Sequence, residues 1–86
     1  MSINSISFTS APGVKIYNDS NNIVINPDNI NYIQENTPGK PRLHLNNGAS
    51  PYFDTRADIS AEECAKRLLD AQEESKKTGK IIDLAA

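Results

Sequence analysis

Asn26 to Gly48, NPDNINYIQENTPGKPRLHLNNG, is the stretch whose reading decides the fold. Its opening, Asn26-Pro27-Asp28-Asn29, ends any strand before it, because proline offers no ladder donor and restricts the residue in front of it. Across Asn29–Gln34 simple alternation sets Ile30 and Tyr32 on one face and Asn31 and Ile33 on the other. Glu35–Pro41 (ENTPGKP) reads as a hairpin tip. Arg42-Leu43-His44-Leu45-Asn46 then returns, with Leu43 and Leu45 inward and Arg42, His44 and Asn46 outward. Asn47-Gly48 predicts a type I′ turn, which needs positive φ at both central residues. Pro51-Tyr52-Phe53-Asp54 predicts a further edge strand, since proline is tolerated at a strand's first position.

Toward the N-terminus, Val14-Lys15-Ile16-Tyr17 alternates as a half-buried strand. Asn18–Asn22 supplies a hairpin loop and Ile23-Val24-Ile25 the partner strand. Ile6 and Phe8 alternate in a terminus prone to fray over residues 1–12. Toward the C-terminus, Ser60 and Glu63 make a capping box, in which a hydroxyl and a carboxylate each satisfy an orphan amide. The helix this predicts carries Ala61, Cys64, Ala65, Leu68 and Leu69 as its apolar stripe and stops before Gly79. Ile81, Ile82 and Leu84 follow in a tail, residues 80–86, that either returns as an edge strand or is a peptide for another chain; docking on its own domain is the favoured reading.

The expected fold is therefore α+β, one small domain over residues 1–86: an antiparallel β-meander of four or five short strands covered on one face by a single C-terminal helix. The expected core is Val14, Ile16, Ile23, Ile25, Ile30, Tyr32, Leu43, Leu45, Phe53, Ile59, Ala65, Leu68 and Leu69. In 86 residues with 37% apolar content and no tryptophan that core is thin, and such domains often gain stability from self-association or a partner.

The formal charge of −2 counts against nucleic acid, because a phosphate binder needs a basic face and here acids interleave with the basic residues. Cys64 is the one cysteine, which excludes an intrachain disulfide and a cysteine-based metal site and fits a small buried helix residue. The N-terminal MSINSISFTSAPG lacks the basic start and apolar run of a signal peptide, and no segment has the apolar length of a membrane span. A cytoplasmic location, with no membrane association, is the expectation.

No catalytic constellation stands out. His44 is the only histidine and falls on an outward strand face without a neighbouring nucleophile. Asp54, Asp58, Glu62 and Glu63 are explained by helix capping and the helix dipole, and Asp19, Asp28 and Asp54 lack calcium-loop spacing. No enzyme activity, cofactor or metal is expected. Pro38-Gly39-Lys40-Pro41-Arg42 is a rigid, basic tip suited to contact without ordering cost. Tyr17, Tyr32 and Tyr52 are the aromatic residues most apt to anchor an interface. The partner-binding candidates are thus Tyr17, Tyr32, Lys40, Arg42, Tyr52, Ile81, Ile82 and Leu84.

Asn26-Pro27-Asp28, Ile30, Tyr32-Ile33, Pro38, Leu43, Leu45 and Asn47-Gly48 together resemble the pattern of the small flagellar FlbD-type proteins, over about half the chain. That family pairs NPD-x-I-x-x-I with a strand ending L-x-N-G. The chain departs from it in a longer segment before Ile23, a bulkier PGKP tip and an extra tail after Gly79. The resemblance implies a small non-enzymatic regulatory or accessory protein and carries no functional residue across. The reading reached is a protein-binding accessory, regulator or inhibitor, bacterial and encoded by a phage or mobile element, acting through a sheet edge, the hairpin tip or the tail and self-associating as a homodimer. The alternative is a small β-type nucleic-acid-binding regulator using Lys40, Arg42, His44 and Arg56.

Overall fold

The computed structural model describes residues 12–85. The expected N-terminal strand around Ile6 and Phe8 lies outside the described residues.

Five strands and one long helix follow in the order β1 (Val14–Asn18), β2 (Asn21–Ile25), a 3-10 turn (Pro27–Asn29), β3 (Ile30–Thr37), β4 (Lys40–Leu45), α1 (Ala61–Thr78) and β5 (Ile82–Asp83). The architecture is α+β, with mostly antiparallel strands covered by the C-terminal helix. The strands divide between two sheets: β2-β1-β5, and the hairpin β3-β4. The residues after Pro51 join them. Tyr52 bridges Arg42 of β4, and Asp54 bridges Tyr17 of β1. Phe53 N–H donates to the Pro41 carbonyl, and Thr55 N–H to that of Tyr17. The expected edge strand over Pro51–Asp54 is thus a crossing segment that pairs briefly with each sheet, and Phe53 between them is buried.

The turns are differently distributed than expected. Asp19 and Ser20 both have positive φ, 48° and 67°, between the paired residues Asn18 and Asn21, so the two-residue I′-type geometry falls there. At Asn47-Gly48 only the glycine has positive φ. Asn47 Oδ1 instead accepts from Ala49 N–H at 2.9 Å, and Leu45 N–H donates to the Ala49 carbonyl, which closes a longer loop. The cause is Asn47's short carbonyl side chain, which can replace a backbone acceptor two residues on.

Register explains the other departure. Ile30 faces Leu45, but Tyr32 faces His44 and Ile33 faces Leu43, so β3 holds one residue more than β4 in this interval. That bulge breaks the simple alternation: Ile30 and Ile33 pack against the core while Tyr32 is 55% exposed.

The core joins Val14, Ile16 and Ile25 of the first sheet, Leu43 of the second, Phe53 and Ile59 of the connection, and Cys64, Leu68 and Ala71 of α1. Ser60 Oγ accepts from Glu63 N–H at 3.1 Å and Gly79 closes the helix in the left-handed conformation, φ 71°, as the sequence predicts, but the Glu63 carboxylate pairs with Arg67 at 3.2 Å rather than reaching back to the cap. The buried helix positions are Cys64, Leu68, Ala71 and Ser75, a 4-3-4 spacing that leaves Leu69, expected in the core, 63% exposed. Ser75 is polar yet buried because it is bonded: its hydroxyl takes Gly13 N–H at 3.3 Å and lies 2.7 Å from the Lys80 carbonyl. It ties the start of β1 to the helix end and the tail.

The tail docks on its own domain. β5 pairs in parallel with β1, Val14 with Ile82 and Lys15 with Asp83, and Ile82 and Leu84 pack half-buried against the core. No helix among the described residues is long and apolar enough to cross a membrane.

Candidate functional site

The bulge in β3 and the stripe of α1 leave an apolar groove between them. Pro27, Ile30, Tyr32 and Ile33 form one wall and Ala65, Leu68, Leu69 and Gln72 the other, around a volume of about 440 Å³. Tyr32 and Leu69, the two walls' most exposed apolar side chains, stand at its mouth. Among the described residues, Glu62 is the one charged residue lining it.

Both ends are pinned by polar contacts. At one end Gln72 Nε2 donates to Asp28 Oδ1, fastening the helix to the 3-10 turn. At the other, the Glu35 carboxylate accepts from Gly39 N–H and from Ala61 N–H, both at 2.8 Å. One carboxylate thereby holds the hairpin tip and the first turn of α1. The bonds from Gly39 and Ala61 place its pKa below the ordinary glutamate value. Apart from the bond from Ile30 N–H to the Pro27 carbonyl, β3 makes no backbone hydrogen bond beyond its hairpin among the described residues, so strand edge and groove open together.

The opposite face of the hairpin carries several candidates. The Tyr32 and His44 rings stack with centroids 4.3 Å apart, and His44 Nε2 lies 3.1 Å from Gln34 Oε1. Arg42 lies over the Tyr52 ring, 4.3 Å from its centroid, with its Nε buried and without a hydrogen-bond partner. Tyr32 thus belongs to both the groove mouth and an aromatic row.

The remaining candidates are already engaged. Lys40 Nζ pairs with Asp58 at 2.9 Å. Arg56 lies over the Tyr17 ring at 3.8 Å, pairs with Asp54 and donates to the Ala85 carbonyl. Burial pushes the Asp54 carboxyl up, but the hydrogen bonds and charge of Arg56 outweigh it and hold the pKa low. Ile82 and Leu84 are packed in the chain's own core, while Ile81 is 49% exposed. The structure brings Tyr32 and Arg42 onto one hairpin with Tyr52 of the crossing segment bridged to it, and sets Tyr17 and the tail at the other sheet. No group of three potential metal ligands gathers among the described residues.

Sequence reasoning missed Ile33, Ala65, Leu69 and Gln72 as residues that line a common groove. A signal was present: Cys64, Leu68, Ala71 and Ser75 form a consistent helical stripe once serine is admitted as a core residue, and Leu69 falls outside it. The β3 bulge had no comparable signal. Comparison of the chain with protein-family models, with curated proteins and with solved structures gives no match.

Proposed function

We propose that this chain is a small non-enzymatic protein-binding module, an accessory, regulator or inhibitor, whose working surface is the groove between β3 and α1. The observation that carries this reading is the joint exposure of Tyr32 and Leu69 at the mouth of an apolar groove beside an open strand edge. Contiguous exposed apolar surface on a small domain marks interaction sites, and an open edge adds main-chain donors and acceptors to apolar pockets. The tail is a weaker candidate, because Ile82 and Leu84 are already packed.

The nucleic-acid reading finds less support. Of its four residues, Lys40 and Arg56 are paired with carboxylates, which leaves Arg42 and His44 on a chain of net charge −2.

The test compares capture from host lysate by tagged wild type, by Ala65→Arg, which fills the groove, and by Val24→Arg, an exposed apolar position outside it. One stoichiometric protein retained by wild type and Val24→Arg but lost by Ala65→Arg supports the groove. Equal capture by Ala65→Arg, or a wild type that neither captures a protein nor self-associates, refutes it.

A further inference from the structure

We infer that the groove's first occupant is a second copy of this chain, packed α1 against α1 in antiparallel fashion about a twofold axis beside Leu69; this rests on the groove being a protein-binding surface. The helix runs from Ala61 to Thr78 over 18 residues, and Leu69 stands at its middle, 63% exposed. Of the positions three, four or seven residues from it, which share its face of the helix, the exposed ones are Glu62, Lys66, Glu73 and Lys76. Glu62 and Lys76 lie equally far from Leu69 on either side, and Lys66 and Glu73 do so to within one residue.

That order is self-complementary under a twofold. In an antiparallel pair Glu62 of one copy meets Lys76 of the other, Lys66 meets Glu73, and the leucines meet at the axis. An isologous interface requires this property, since one patch must complement itself. A parallel pair would set glutamate against glutamate and lysine against lysine. Intrahelical bonding leaves these charges available: the ion pair formed within α1 among the described residues is Glu63–Arg67, at 3.2 Å. The helix dipole adds to the preference, because each acidic N-terminal turn would lie beside a basic C-terminal turn holding Lys76 and Lys77.

Surface continuity points the same way. Glu62 and Leu69 belong both to this stripe and to the groove. Ala65, on the groove side of the stripe, is small enough to let a second helix approach. A copy packed here covers Leu69 and the groove mouth together. Charge pairs at such a rim are individually weak, so specificity comes from their order and affinity from Leu69.

The test is light scattering and sedimentation of the full chain and two stripe variants. One variant is all-basic, Glu62→Lys with Glu73→Lys; the other is all-acidic, Lys66→Glu with Lys76→Glu. All four positions are exposed, and circular dichroism confirms that each variant is folded. The expected result is a wild-type dimer at high micromolar concentration, each variant alone monomeric, and a heterodimer when the two are mixed. Leu69→Asp is expected to weaken self-association by about thirtyfold or more, as for a centrally placed anchor. A wild type monomeric at millimolar concentration, or variants that dimerise alone as well as wild type does, overturns the inference. Loss of a heterologous partner in Ala65→Arg, with wild type monomeric, would leave the groove reading standing while removing this one.

Discussion

Leu43 and Leu69 show how much the environment of a single leucine decides. Leu43 is fully buried between the hairpin and the core, whereas Leu69 is 63% exposed at the groove mouth. Leu43→Ala is expected to cost about 2–5 kcal/mol of unfolding free energy, from lost transfer energy plus a cavity. Leu69→Ala is expected to stay within about 0.5 kcal/mol, as surface changes away from special features do. Urea unfolding of the two variants below the dimerisation range checks both, and a large loss at Leu69 would show that it belongs to the core. Cys64 offers a chemical counterpart. Burial pushes its thiol up to about 12, so almost no thiolate exists at neutral pH and the sulfur is screened as well. A colourless native mixture with a thiol–disulfide exchange reagent, turning to one equivalent of reaction in denaturant, is the expected outcome.

At the level of elements, the helix was legible because its signals are local. Ser60 and Gly79 lie at the ends they define, and both cap the helix there. The hairpins were legible as pairs but not in register, because the β3 bulge depends on what Ile30, Tyr32 and Ile33 meet across the sheet. The groove was hidden for the same reason, since it needs both the bulge and the sideways displacement of Leu69. One of the two contacts that position its walls is made by Glu35, which no local pattern singles out. Its carboxylate must be ionised to accept fully from Gly39 and Ala61, and its folded pKa is depressed. This contribution is therefore complete above the ordinary glutamate range and disappears as pH falls through the folded value. The melting temperature is expected to drop between about pH 5 and pH 3, with Glu35→Gln showing a shallower drop because that residue no longer titrates. Amide exchange at Gly39 and Ala61, faster in Glu35→Gln at neutral pH, locates the effect. Unchanged exchange at both amides would remove Glu35 from this role.

For the whole molecule, the tail decides whether the domain is complete without its last residues. A tail that binds another protein could be removed with the fold intact. Here β5 extends the β1 edge, Leu84 N–H donates to the Lys15 carbonyl, and Ala85 is buried. Arg56, already held by Asp54 and Tyr17, donates to the Ala85 carbonyl, so the crossing segment between the sheets is fastened to the tail as well. Ser75 loses its Lys80 acceptor if the tail goes and keeps only its contact to Gly13. A chain ending at Gly79 therefore exposes the β1 edge at Val14 and Lys15 and takes the Ala85 acceptor from Arg56 at once. In a domain of this size, total stability is of order 5–10 kcal/mol, and losing two half-buried aliphatic side chains would remove a large fraction of it, about 2–4 kcal/mol. The expected outcome is a truncated chain with a melting temperature lower by ten degrees or more, about what such a loss produces in a small domain. Calorimetry of the two lengths checks this directly. A truncated chain that melts with the full-length one would mean that β5 adds nothing to the core, and Ile82 and Leu84 would return to the list of residues offered to a partner.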